Sequence, residues 1–146
     1  MQRNWIKWVT LLGITAAAAT CLNAAAVTYV GHDKVAEAIS KGGDLVKASD
    51  LIVLGSHRAG PGQVEVHDKE TDVFYIVEGT ATFITGCTMV DGKNTIAGPW
   101  LGMDIKGGET HHLGKGDVIV IPAGTPHWFK EVSPSINYYV VKVLKP

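Results

Sequence analysis

Val118-Ile119-Val120-Ile121 is a run of four aliphatic residues held between two turn sequences, Gly114-Lys115-Gly116-Asp117 and Pro122-Ala123-Gly124-Thr125-Pro126. So short a segment has no room for a helix, which needs roughly 10 residues or more, and its β-branched side chains favour an extended chain. An uninterrupted apolar run of this kind predicts a strand buried on both faces. The same punctuation recurs along the chain. Leu51–Leu54 reads as a strand and Ala59-Gly60-Pro61-Gly62 as a turn, and Gln63–His67 alternates. Val73–Val77 is apolar and aromatic, Gly79 breaks it, and Thr80–Thr85 is the next strand. Asp91-Gly92-Lys93-Asn94 marks a tight turn, and Ile136–Val143 is a last strand. Many short strands between Gly and Pro turns predict an all-β sandwich or barrel. One short helix precedes them: Asp33 caps it, Val35, Ala38 and Ile39 form its apolar stripe, and Gly42-Gly43 stop it. A second amphipathic turn is expected around Asp44–Ala48.

The 146 residues suit one domain, and 46% hydrophobic content excludes a disordered chain. Thirteen basic against 14 acidic residues leave no excess for a phosphate backbone, so nucleic acid is not an expected partner. Arg3 and Lys7 precede the uncharged run Trp8–Ala19, no charge returns before Asp33, and Asn23-Ala24-Ala25-Ala26 offers small residues. A charged start, an apolar middle and a small-residue exit predict a secretory signal over residues 1–26, cleaved after Ala26. The alternative is an uncleaved membrane anchor, for which the Ala and Thr content is poor. Ala18-Ala19-Thr20-Cys21 matches a lipidation signal badly. Cleavage takes the formal charge from -1 to -3 and leaves a periplasmic or extracellular protein of 120 residues with no membrane contact. Cys87 is then a lone cysteine, read as a small buried apolar side chain with no cationic neighbour to activate it.

Gly116, then five residues to Pro122, one to Gly124 and two to His127, resembles the second motif of the cupin family. Asp72-Val73-Phe74-Tyr75-Ile76-Val77-Glu78-Gly79 resembles the end of that family's first motif, with Asp72 where Glu is usual. Counting back, His67 falls on the second histidine of the motif and Glu65 on the first. Glu131 stands where the second motif often ends in Asn. Together the two motifs span residues 62–131. The resemblance implies a cupin-type jelly-roll β-barrel, commonly dimeric, with a metal held by three His and one Glu. Carried over residue by residue, it assigns Glu65, His67, Asp72 and His127 as metal ligands, with two of the four chemically altered. The chain then divides into the signal (1–26), an N-terminal helix and lead-in strand (27–60) and the barrel (61–146).

Strand periodicity points to the same residues. Positions two apart share a face, so Glu65 and His67 point together, as do Asp72, Phe74 and Ile76. His127 follows a Pro-Ala-Gly-Thr-Pro turn that aims it at the end of the core. Two imidazoles and two carboxylates in a water-poor pocket need a counter-charge, and a divalent Zn, Mn, Fe, Ni or Cu ion would supply it. A solvated edge strand at Glu65–Glu70, with His127 bonding a turn carbonyl, is the competing explanation.

Other residues carry less. His111-His112 face opposite ways on a strand, so at most one looks inward. His57 or Arg58 could line the barrel mouth, with Arg58 read as surface, and His32 is expected to be exposed. Trp100 and Trp128 read as packing. The apolar strands Leu51–Leu54 and Ile136–Val143 predict a homodimer. Two functions follow: a metal-dependent enzyme of oxygenase, isomerase or lyase type on a small organic molecule, or a module that binds a small molecule or metal without turnover.

Overall fold

A computed structural model describes residues 26–96 and 98–145. The expected signal segment, Ala26 apart, lies outside them. Among the described residues no helix is long and apolar enough to cross a membrane. Helix α1 (His32–Lys41) buries Ala38 and half-buries Val35 and Ile39, the predicted stripe. Its N-cap is Gly31 rather than Asp33, because the Val35 N–H already bonds the Gly31 carbonyl. Asp33 lies in the first turn, where its charge complements the helix dipole. At the other end the Gly42 N–H donates to the Ala38 carbonyl and closes the helix.

The strands that follow are β1 (Gly43–Lys47), β2 (Leu51–Arg58), β3 (Val64–Val66), β4 (Glu70–Thr85), β5 (Thr88–Val90) and β6 (Lys93–Asn94). After them come β7 (Trp100–Gly102), β8 (Asp104–Lys106), β9 (Glu109–Leu113), β10 (Val118–Ile121) and β11 (His127–Leu144). The helical turn expected at Asp44–Ala48 is instead β1, because pairing with β2 overrides a local amphipathic pattern. Nine strands form one sheet, ordered β1-β2-β11-β3-β7-β6, with β4 also on β11 and β9 and β10 on β4. β5 and β8 pair separately.

The long antiparallel pair β4 and β11 is the spine, running from Glu70↔Leu144 to Thr85↔His127. Gly79 does not end the strand as expected; it bends it. Before Gly79 the buried side chains are Asp72, Phe74 and Ile76; after it Ala81 and Phe83 continue the inner face, and Ile84 is buried in a second cluster. The inward phase has slipped by one residue, as a bulge requires, and β11 shows matching register shifts. Gly79 has φ 87, and a Cβ there would lie 2.0 Å from the Ser135 carbonyl oxygen. Gly79→Ala is therefore expected to cost at least about 2 kcal/mol, read as a lowered urea midpoint, since a left-handed backbone and an overlap with main chain combine.

The main core gathers Phe74, Ile76, Phe83, Phe129, Ile136, Tyr138 and Val140 on the inner face. A second cluster, Val64, Ile84 and Ile105, lies where β5 and β8 cover the other side. The outer face is apolar too: Val118, Tyr75 and Tyr139 form one cross-strand row and Val120, Val73 and Val141 the next. α1 backs onto this face at Gly55, where a Cβ would lie 2.4 Å from the Ala38 backbone. Strand β10 is not buried on both faces. It pairs only with β4, so Val118 is 61% and Val120 56% exposed, while Ile121 is buried. Cys87 also departs from expectation: it is exposed, with φ 49, because it sits in the turn between β4 and β5.

Candidate functional site

The open end of the inner face holds a cavity of about 190 Å³. Its wall combines Phe74, Phe129 and Tyr138 with Glu65, His67, Asp72 and His127, so all four residues singled out by the sequence line one space. The topology explains how. His127, first in β11, pairs with Glu65 on β3 and Thr85 on β4, which brings the end of β11 between those two strands. Asp72 is inward on β4, and His67 directly follows β3.

Glu65, His67 and His127 each place a ligand atom within 4.8 Å of the others, a spacing that could hold a metal ion. Asp72 stands beside them, its Oδ2 3.6 Å from His67 Nε2 and 3.9 Å from His127 Nε2. The imidazoles stack with centroids 5.4 Å apart. His127 Nδ1 lies 3.1 Å from the Thr125 carbonyl oxygen and donates to it, and His67 Nδ1 lies 3.3 Å from Glu70 Oε2. His127 thus has an acceptor at Nδ1, and both rings turn Nε2 toward the carboxylates.

One contributor was missed in the sequence and a second was placed at the surface. Lys142 extends its ammonium to Glu70 Oε2 at 2.7 Å and to the two Asp72 oxygens at 3.0 and 3.2 Å, with His67 Nε2 3.4 Å away. The alternation Ile136, Tyr138, Val140, Lys142 signalled it, a lysine in the inward phase of an apolar strand. Arg58, expected at the surface, lines the cavity, with its guanidinium 5.0 Å over the Phe129 ring. His57 is exposed, its Nδ1 2.6 Å from Asn137 Oδ1. Of the His pair, His111 is half-buried against Thr85 and His112 is exposed; neither lines this cavity.

A hydrogen bond from His67 holds the Glu65 carboxyl below its ordinary value, against the opposing effect of burial. Burial pushes the His127 imidazole down, more than its bond to Thr125 and the nearby carboxylates push it up. Burial alone would lower the Lys142 ammonium, but Glu70 and Asp72 outweigh it and hold that group above its ordinary value. For Glu65 and His127 alike the unfolded chain binds the proton first, so the stability they contribute is complete above the unfolded pKa and is lost as pH falls through the folded one. The metal-free protein should lose stability on acidification first below about pH 6.5, through His127, and then through the carboxylate range. In His127→Gln the first stage should disappear from a plot of urea midpoint against pH; an undiminished first stage would assign it to another group.

Over 92 residues the chain is 34% identical to the acireductone dioxygenase of Leptospira biflexa, covering 57% of this chain and 41% of that enzyme. The Cnp3 cupin domain of Schizosaccharomyces pombe superposes with a TM-score of 0.52 at 13% identity, over 70% of this chain and 59% of that one. A cupin superfamily protein of Desulfitobacterium hafniense gives 0.49 at 14% identity, over 70% and 74%. The chain thus spans less than two thirds of the length of the first two. The family model described as Cupin matches residues 57–146, from the end of β2 through β11 and across all four candidate residues, and the chain belongs to the cupin family.

Proposed function

We propose that Glu65, His67 and His127 hold a divalent cation at the cavity wall, with Asp72 beside them, and that the protein is a metal-dependent enzyme acting on a small organic molecule. The observation that carries this reading is the orientation of the two imidazoles. Histidines that ligate metals characteristically donate their other ring nitrogen to a carbonyl or carboxylate, which fixes tautomer and ring plane. Here the Thr125 carbonyl plays that part for His127. Two nitrogens and one carboxylate oxygen suit Zn, Mn, Fe, Ni or Cu, and a set of two His and one carboxylate leaves coordination positions open for a substrate.

A bound cation would supply Lewis-acid polarisation of a substrate oxygen. The chain's own residues do the rest. Phe74, Phe129 and Tyr138 exclude water from one side of the cavity. Lys142, held protonated by Glu70 and Asp72, is a fixed positive charge and not a base. The nine-stranded sheet is read as wrapping this space as a jelly-roll barrel. The likeness to a dioxygenase supports the oxygenase member of the oxygenase, isomerase and lyase range.

The test is reconstitution of the purified protein with Zn, Mn, Fe, Ni and Cu in turn, followed by measurement of bound metal and thermal stability. Near-stoichiometric uptake of at least one ion is expected, with a raised melting temperature, because a ligand of the native state stabilises it by mass action. Uptake of none would reject the cation site. Uptake with ligand binding but no product, across a panel of small organic acids and alcohols with and without oxygen, would favour the non-catalytic binding module.

Export and dimerisation belong to the same proposal. The composition of the first 26 residues supports a cleaved signal, and mass spectrometry of the native protein should find a start at Val27; an intact Met1 in a membrane fraction would favour the anchor. The apolar outer face, with Tyr75 and Val143 exposed beside Val118 and Val120, supports a homodimer. Sedimentation showing only monomer at micromolar concentration would reject it.

A further inference from the structure

We propose that Arg58 is the anion anchor of this cavity, and that the molecule the cavity accepts is a small monocarboxylate seated on the Arg58 guanidinium. The inference rests on the reading that Glu65, His67 and His127 hold a divalent cation.

Arg58 is the last residue of β2 and lies in that strand's inward phase with Leu54 and Ser56, all three on the cavity wall. Its Nε is buried and, among the described residues, has no hydrogen-bond partner. Nor does Arg58 form an ion pair with any of the acidic groups gathered around His67 and Lys142. A buried guanidinium nitrogen left unpartnered is costly, and such atoms in native proteins call for an explanation. A carboxylate supplies one, because its two oxygens match the fork of guanidinium N–H groups.

The guanidinium is held for that task. Its Cζ lies over the Phe129 ring, 5.0 Å from the centroid. The Gly62 backbone flanks it so closely that a Cβ at Gly62 would come within 2.7 Å of Arg58 Nη1. That loop is itself fixed by the Gly62 N–H to the Phe129 carbonyl at 2.9 Å and by Trp128 Nε1 to the Gly62 carbonyl at 2.7 Å. Arg58 lines the same cavity as Glu65, His67 and His127, so a ligand on Arg58 would sit beside the proposed cation.

Charge and volume narrow the ligand. Glu65, Glu70 and Asp72 oppose Lys142 and Arg58, a balance of one negative charge; a divalent cation turns it into one positive charge. A monoanion makes the site neutral, whereas a neutral molecule leaves a cation in a water-poor space. About 190 Å³ is below the roughly 300 Å³ at which drug-sized pockets begin, and holds on the order of six waters. The carboxylate therefore belongs to a compact acid of a few carbons.

Calorimetric titration of the zinc-loaded, full-length protein with acetate, lactate and pyruvate, and with acetamide and lactamide as neutral counterparts, tests the proposal. At least one of the acids should bind and its amide should not. Arg58→Gln should weaken that binding by about tenfold or more while zinc stoichiometry stays unchanged. Arg58→Lys should recover part of it, and Gly62→Ala, which displaces the guanidinium, should weaken it with zinc retained. Equal binding by Arg58→Gln and the parent, equal binding of acid and amide, or no binding of any acid by zinc-loaded protein overturns the proposal. If the protein takes up no zinc, the cation reading fails by itself, and the same titrations on metal-free protein decide the anchor: Arg58-dependent binding of an acid upholds it, and its absence removes it.

Discussion

His127→Ala is expected to abolish most divalent-metal binding, with a loss of affinity beyond the roughly 10–100-fold that follows loss of a hydrogen-bonding partner to a ligand. His127 is 5% exposed and paired in register with both Glu65 and Thr85, so its imidazole is fixed at the cavity wall. His67→Ala should come close to the same loss, because its Nε2 is the other nitrogen facing the carboxylates. Glu65→Ala should fall between, since removing an anion weakens the attraction for a cation even where coordination survives. Asp72→Ala should be mildest in metal content, because Lys142 already occupies both Asp72 oxygens. Elemental analysis after reconstitution, with circular dichroism to confirm folding, gives the ranking. Metal content equal to the parent in His127→Ala would remove His127 from the site.

Lys142→Met should be the most destabilising single change in the cavity, by about 3–5 kcal/mol, because it leaves a buried carboxylate without its counter-charge. Asp72 is 2% exposed and the Lys142 side chain 17%, so solvent can do little to compensate. The partner change Asp72→Asn, made together with Lys142→Met, should recover much of the loss. The pH dependence has a definite sign. The folded pKa of Lys142 is raised, so its contribution is complete below the unfolded value near about pH 10.4 and is lost as pH rises through the folded one. Urea midpoints of the parent and the two variants across pH measure this. A deficit under about 1 kcal/mol at neutral pH would show that Glu70 and Asp72 do not depend on the ammonium.

The pattern of short strands, the single helix and the four residues Glu65, His67, Asp72 and His127 were legible because each leaves a local mark: a turn, an alternation, a spacing. What was not legible depends on partners far away in the chain. Val118 and Val120 looked like core because aliphatic content does not reveal whether a strand has neighbours on both sides, and β10 has one. Gly79 looked like an end because a positive-φ glycine serves equally to stop a strand or to shift its phase. Lys142 and Arg58 carried inward-phase signals that were outweighed by the ordinary habit of cations to sit at the surface. Their partners explain the exceptions, Asp72 and Glu70 for the one and the Phe129 ring for the other. Asp44–Ala48 had the composition of a helical turn, but strand pairing with Leu54 and Val53 decided its state.

The pairing of β4 with β11 joins residues from 42 positions apart, at Thr85 and His127, to 74 apart, at Glu70 and Leu144. Contacts at such separations form only after a long loop has closed, the costly event in β folding. Before that closure, His67 and Asp72 have neither His127 nor Lys142 across from them. A ligand gripping both strands therefore has nothing to hold while the chain is still searching, and cannot hasten the search. Its whole effect falls on the return journey: the two strands part more slowly when something binds them together, and occupancy lengthens the lifetime of the fold without speeding its birth.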